Sequence, residues 1–436
     1  MTKLHKISAV LVIFAMLLSL AGCLGISVDD LYSLPEFSDE YLKLQELLDK
    51  EIASGCTYYS PTSGNYRSAV QFFDIDGDGS DEATAFFLTS EQTLKICVYH
   101  PVDYDYILSS TISGDGSAIG SVEYSDMDGD NISELIVAWQ ISSDLRMLKV
   151  YSMVDWSASV LLTAECTQFL VADMDGNGRS ELLSLHFSPS SACSAEMFSI
   201  SQNSEPARSA AKMSSGLRSL DRLRTGYLSD GTIAVFAESS AEDGQILTDI
   251  FIASDGGLKN ITYNDAYSVN RTARSYPVYC TDIDGDRCME IPDTTALKPQ
   301  SDSPNTYWVF DWYAYSPSGA RTLKFSTYHC YSDGWYLILP DGLRDSLTVR
   351  RADTDSGERV VILSSIDAHG QITDLLAIYT LSGDNRSELA KLSGRFTLAA
   401  EEDAIYAGRI LNSSISEDEI MDNFRLIYTE WITGAI

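Results

Sequence analysis

The chain is short of positive charge. Of 436 residues, 30 are Lys or Arg against 63 Asp or Glu, for a formal net charge of −33. A surface of that sign repels phosphate, which argues against a nucleic-acid partner and against electrostatic attraction to anionic lipids. Histidine is scarce, at 5 residues, and the 8 cysteines form no CxxC or CxxxC pair. With no HxxxH either, no zinc site is expected. GxSxG, HExxH and phosphate-binding glycine loops are all missing. The stretch SAAK from Ser209 fits SxxK, but its SDN and KTG companions do not occur. No catalytic motif marks the chain as an enzyme.

Only one long apolar run is present. Lys3 and Lys6 precede SAVLVIFAMLLSL, which is too short to span a bilayer comfortably and reads as the core of a signal peptide. The segment ends in LAGC, Leu20 to Cys23, and resembles the lipobox of bacterial lipoproteins. The resemblance implies a signal peptide over residues 1–22, cleavage before Cys23, lipidation of Cys23, and an extracytoplasmic chain anchored to the membrane by that lipid.

What the chain has in excess is acid, and it is patterned. DIDGDGSDE from Asp74 recurs as DMDGDNISE from Asp126, DMDGNGRSE from Asp173 and DIDGDRCME from Asp282. The first three start 52 and 47 residues apart and the last follows after 109, about two periods. GYLSDGTIAVFAE, near residue 228, keeps the flanking pattern of a missing copy without its acids. Between copies the chain reads as short strands: LIVAW, RMLKVYSMV, SASVLLTAE and QFLVAD follow the second loop. Four strands per repeat of this length predict a mainly β fold, a β-propeller of about five to seven four-stranded blades. Ring closure would borrow a strand from residues 56–66 or use the chain after 331 as a further blade.

Carboxylates at this density need a counter-charge, because two of them about 4 Å apart repel by roughly 1 kcal/mol in water and about 4 at an effective dielectric of 20. Calcium takes six to eight oxygens, and alternate residues of a tight loop with a central glycine can aim them at one ion. In the first loop this nominates Asp74, Asp76, Asp78, the Ser80 carbonyl and Glu82. The second offers Asp126, Asp128, Asp130, the Ile132 carbonyl and Glu134; the third Asp173, Asp175, Asn177, the Arg179 carbonyl and Glu181. The fourth offers Asp282, Asp284, Asp286, the Cys288 carbonyl and Glu290, and is the least secure because Arg287 stands where glycine eases the turn. About three to four Ca²⁺ ions are expected. An EF-hand would need Glu at position twelve, which here is Ala85, Val137, Ser184 and Asp293. The four spaced loops instead resemble the FG-GAP or VCBS repeats of integrin α-subunit propellers and many bacterial surface proteins, over residues 66–330. The resemblance implies that the ions pin the fold.

The flanks differ. Residues 23–55 would hold the anchor, a linker and a helix, SDEYLKLQELLDKEIA, capped by Ser38 with Leu44, Leu47 and Leu48 on one stripe. Residues 56–330 form the propeller and 331–436 a small α+β module, ending in a helix in which Ser416 and Glu419 make a capping box and Ile420, Phe424, Ile427 and Trp431 share a face. DTDSGE at Asp353 reads as a plain turn. In YWVFDWYAY, Trp308 and Trp312 offer a surface for a sugar or peptide, although packing between blades explains the same pattern. Cys280, Cys288 and Cys330 leave a disulfide open. The function expected is a binding or adhesion module for a glycan, cell-wall or protein ligand; the alternative is an extracellular polysaccharide-acting enzyme with its site at the propeller channel.

Overall fold

A computed structural model describes residues 39–427 except 104, 188–191, 203, 265, 301–305 and 355–357. The signal segment, the LAGC motif with Cys23, Ser38 and Trp431 lie outside the described residues. Among the described residues the fold is mainly β, built from six antiparallel sheets of four or five strands and one two-stranded sheet, Tyr263–Asn264 with Val269–Asn270. The first comprises Val70–Phe73, Glu82–Leu88, Leu94–Val102 and Asp105–Ser113, with Thr57–Tyr58 added beside Glu82–Leu88. The second is Ala118–Ser125, Glu134–Gln140, Arg146–Ser152 and Ser159–Cys166; the third Gln168–Ala172, Glu181–His186, Ser194–Ser199 and Ala207–Lys212. The fourth is Leu217–Tyr227, Ile233–Ala241, Ile246–Ser254 and Gly257–Asn260, with a tight turn between its first two strands where the first three sheets carry an acidic loop.

Each of these sheets is a simple meander, and burial falls across it. The second strands are buried on both faces, which is why ATAFFL and LIVAW are continuous apolar runs rather than alternating ones. The fourth strand of the first sheet, Asp105–Ser113, is largely exposed and alternates poorly. Cores lie between successive sheets. Phe86, Ile96 and Val98 meet Val122, Leu135, Val137 and Trp139 between sheets one and two. Ile136 and Val150 meet Leu182 and Phe198 between two and three, and Leu183 and Met197 meet Val235 and Phe251 between three and four. Phe236 and Ile250 meet Cys280, Ile291 and Tyr315 between four and five.

The chain beyond 331 does not stand apart. Trp335–Ile338 pairs with Arg321–Cys330, so the expected border at 330 falls inside a hairpin of the fifth sheet, whose other strands are Ile291–Ala296, Trp308–Tyr315 and Phe424–Leu426. Leu347–Arg351, Arg359–Ile366, Ile372–Ser382, Ala404–Ile410 and Phe396–Ala400 make the sixth sheet. One core of Val309, Tyr328, Trp335 and Leu337 with Val361, Leu363 and Ile378 joins it to the fifth. Asp353 lies between the first two strands of this sheet, the place the acidic loops hold in sheets one to three.

Two further expectations change. Residues 56–66 do not reach toward the last sheet: Thr57–Tyr58 pairs within the first sheet, and the Thr62 and Ser63 N–H groups donate to the Ile119 and Gly120 carbonyls of the second. The last helix is shorter than its apolar pattern suggests. Ser416 does cap it, accepting from the Glu419 N–H, but the helix covers only Glu417–Asn423. Phe424 then turns into a strand pairing with Trp335–Ile338, because its ring is wanted against Trp335 and Tyr406 in the shared core. The first helix, Asp39–Ala53, lays Leu44 and Leu48 on Ala83, Phe87 and Tyr99, covering the outward face of sheet one. Among the described residues no helix is long and apolar enough to cross a membrane.

Candidate functional site

The first three acidic loops join the first and second strands of sheets one to three, and the fourth leads into Ile291–Ala296 of sheet five. All four share one backbone path. The fourth loop position is glycine with φ of 74, 83, 76 and 82° at Gly77, Gly129, Gly176 and Gly285. The sixth is also left-handed, at 91, 67, 86 and 74° for Gly79, Asn131, Gly178 and Arg287. Asn adopts this region readily, whereas at Arg287 it costs about 1–2 kcal/mol. The loop holds its shape in spite of the unfavourable residue.

The shape is held by the acids themselves. The first carboxylate accepts from the sixth N–H: Gly79 to Asp74 at 3.0 Å, Asn131 to Asp126 at 3.0 Å, Gly178 to Asp173 at 2.9 Å and Arg287 to Asp282 at 2.9 Å. The third position accepts from the fifth N–H at 3.1–3.2 Å on Asp76, Asp128, Asp175 and Asp284. The fifth, Asp78, Asp130, Asn177 or Asp286, accepts from the seventh N–H at 2.7–2.8 Å. The closing glutamate reaches back to the second N–H: Ile75 to Glu82 and Met127 to Glu134 at 2.8 Å, Met174 to Glu181 at 2.9 Å, and Ile283 to Glu290 at 3.3 Å. Every proposed side-chain ligand thus spends an oxygen on the loop backbone.

What remains is carboxylate without a donor. Glu82, Glu134 and Glu290 are 0% exposed and Glu181 is 2% exposed. Glu134 Oε1, Glu290 Oε1 and Asp74 Oδ1 are buried with no hydrogen-bond partner. Burial, followed by the repulsion of the loop aspartates, pushes the Glu134 and Glu290 carboxyls up to about 7. Burial raises Glu82 and Glu181 as well. Ligand atoms of Asp74, Asp76 and Asp78, of Asp126, Asp128 and Glu134, and of Asp173, Asp175 and Glu181 lie within 4.8 Å of one another. These groups could hold a hard divalent cation, which would supply the charge that the buried glutamates lack.

The loops differ in their neighbours. At the first, His100 Nδ1 lies 3.2 Å from Glu82 Oε1, and its ring stacks on Trp156 at 4.0 Å. At the fourth, the Lys324 ammonium donates to Asp286 Oδ2 at 2.6 Å and lies 3.6 Å from Asp284. Neither contact was legible in the sequence, since His100 and Lys324 come from strands 18 and 38 residues away. The Cys288 thiol also joins the ligand-sized group with Asp286 and Glu290, where only its carbonyl had been expected. Consecutive loops touch: the Ser133 N–H donates to the Ile75 carbonyl at 2.7 Å and the Ser180 N–H to that of Asp126 at 3.3 Å.

The aromatic strand is not a ligand platform as a whole. Trp312 is 0% exposed, and its indole N–H donates to the Thr327 hydroxyl at 2.8 Å. It has no surface left to offer, because both faces of Trp308–Tyr315 are covered in the fifth sheet; Trp308, half-buried, leans on Tyr276. The seven described cysteines are all free and buried, Cys280, Cys288 and Cys330 among them.

A scan against protein-family models matches none, and a search of curated proteins matches none. Among solved structures, a rhamnogalacturonan lyase of Bacillus licheniformis is similar over 73% of this chain and 72% of its own, at 11% identity and a TM-score of 0.28. A likeness that slight bears on neither fold family nor activity.

Proposed function

We propose that the chain is a calcium-stabilised six-bladed β-propeller of the FG-GAP or VCBS type. It acts as a binding module for a glycan, cell-wall or protein ligand, outside the cytosol and tethered by a lipid on Cys23. The observation that carries the calcium reading is the closing glutamate: buried, fed by one backbone N–H, and in two loops left with an oxygen that no donor reaches. Oxygen-only donor sets of this size suit Ca²⁺, and sites as weak as about 10⁻⁴ to 10⁻³ M fill outside the cell. The propeller reading is supported by successive meanders packed face to face, with the first strands of sheets two, three and four lining one cavity. Ions at loops that touch each other would lock neighbouring sheets together. Thermal melts with millimolar Ca²⁺ and with EGTA test the reading. A rise of several degrees with calcium is expected, and an unchanged melting temperature sinks it.

A further inference from the structure

A cavity lies along the first strands of sheets two, three and four, away from the acidic loops. It encloses about 710 Å³, inside the roughly 300–1,000 Å³ range of small-molecule sites. Sheets two, three and four contribute Glu123, Gln168 to Val171, and Leu220 to Leu223, while Arg146 reaches in from the third strand of sheet two and Ser63 to Asn65 close one side. In a molecule of net charge −33 this cleft is charge-balanced, with Arg146 and Arg222 against Glu123 and Asp221.

The charged groups are set in place by their surroundings. Arg146 Nη1 donates to the Thr167 carbonyl at 2.9 Å and to Gln168 Oε1 at 2.8 Å. Asp221 accepts from the Ser219 hydroxyl at 2.7 Å and the Ser240 hydroxyl at 2.6 Å, and Arg222 lies over the Tyr279 ring at 4.4 Å. Glu123 differs: it is half-buried, yet takes part in no hydrogen bond or ion pair among the described residues. A carboxylate placed in a cleft and not engaged by the protein keeps its oxygens available to a donor on a ligand. Leu170, Val171, Leu220 and Leu223 line the same cleft, half-buried with their other sides packed on the cores between sheets.

We propose that this cleft binds a short neutral oligosaccharide, with Glu123 accepting from sugar hydroxyls, Arg146 donating to them, and the leucine and valine side chains covering the C–H face of a ring. Balanced charge favours a neutral ligand, since an anionic one meets the field of the whole molecule. The fixed donor and acceptor match neighbouring hydroxyls, which offer both functions. The proposal deepens the binding-module reading but does not depend on calcium.

The test is calorimetric titration of the full chain, in calcium, with maltotriose, cellotriose, xylotriose and chitotriose, and with trigalacturonate as the charged comparison. At least one neutral trisaccharide should bind, and Glu123→Gln and Arg146→Gln should each weaken it about tenfold or more with unchanged melting temperature. Gln168→Ala serves as a milder variant if Arg146→Gln melts early, and should weaken binding less. Absence of binding by all four neutral sugars, equal or tighter binding of trigalacturonate, or affinity indifferent to Glu123 and to both Arg146 and Gln168 would overturn the proposal. Sugar binding without a calcium effect on melting would remove the calcium reading and leave this one; a calcium effect without sugar binding would do the reverse.

Discussion

At the residue scale the loops turn on a conflict between geometry and charge. Glu134 closes its loop by accepting from the Met127 N–H at 2.8 Å, which a neutral amide oxygen can also do. Its charge serves nothing in the metal-free chain, since it is 0% exposed and Oε1 has no partner. Glu134→Gln should therefore leave the EGTA melt equal to or above the parent's, by about 1–3 kcal/mol of relieved desolvation, and remove part of the gain on adding calcium. A mutant that loses stability in EGTA would show that the carboxylate is satisfied in some other way. Lys324 poses the opposite case, a cation already seated on Asp286 and near Asp284. Lys324→Met should cost about 0.5–1 kcal/mol without metal, as partly exposed ion pairs do. It should also strengthen calcium uptake at the fourth loop, read as an added or tighter site by titration. The pattern DxDxDxxxE, with Asn177 in place of the third Asp in one copy, was legible in the sequence because local spacing fixes it. The lysine was not, because only the pairing of strands in sheet five brings it there.

At the scale of elements, the second loop position does the mechanical work. Ile75, Met127 and Met174 are 1–2% exposed and enter the cores between a sheet and the next. The alternation that aims aspartates into the loop aims this residue the other way, so each loop is bolted to the packing below it. Met127→Ala should cost about 2–4 kcal/mol by cavity formation, seen as a lower urea midpoint with calcium or without. A loss confined to calcium-loaded protein would mean that the ion, not the wedge, joins the sheets. Strands and their order were legible from LIVAW, RMLKVYSMV and their kin. The last helix was overread, since Ile420, Phe424 and Ile427 fit a helical stripe until Phe424–Leu426 found an edge to pair with.

At the scale of the molecule, six sheets share cores end to end, so a buried group in one becomes a property of the whole. His329 sits in the fifth sheet with Phe310 at 4.4 Å and Tyr336 at 5.1 Å, its Nε2 2.7 Å from the Thr327 hydroxyl. Burial lowers it from 6.5 to about 3. The unfolded chain takes up its proton near 6.5 and the folded chain only near 3. Its contribution is therefore intact above about 6.5 and is lost as pH falls through that window, by up to about 1.4 kcal/mol per unit. His329→Phe should flatten urea stability between pH 6 and pH 4. An acid slope equal to the parent's would place the sensitivity elsewhere.

The linear sequence by itself determined the loops, their spacing and the strand-rich repeats between them, because those features depend on residues within one turn or one hairpin. Only the tertiary structure decided that residues beyond 331 complete the fifth sheet and form the sixth, that Trp312 is core, and that Arg146, Glu123 and Asp221 line one cleft. Each of those facts rests on contacts between strands far apart in the chain, which local pattern does not encode. The physical reason is burial: a sheet buried on both faces takes its partners from wherever the chain supplies an apolar face or a free edge, and the charged residues go where that packing leaves room.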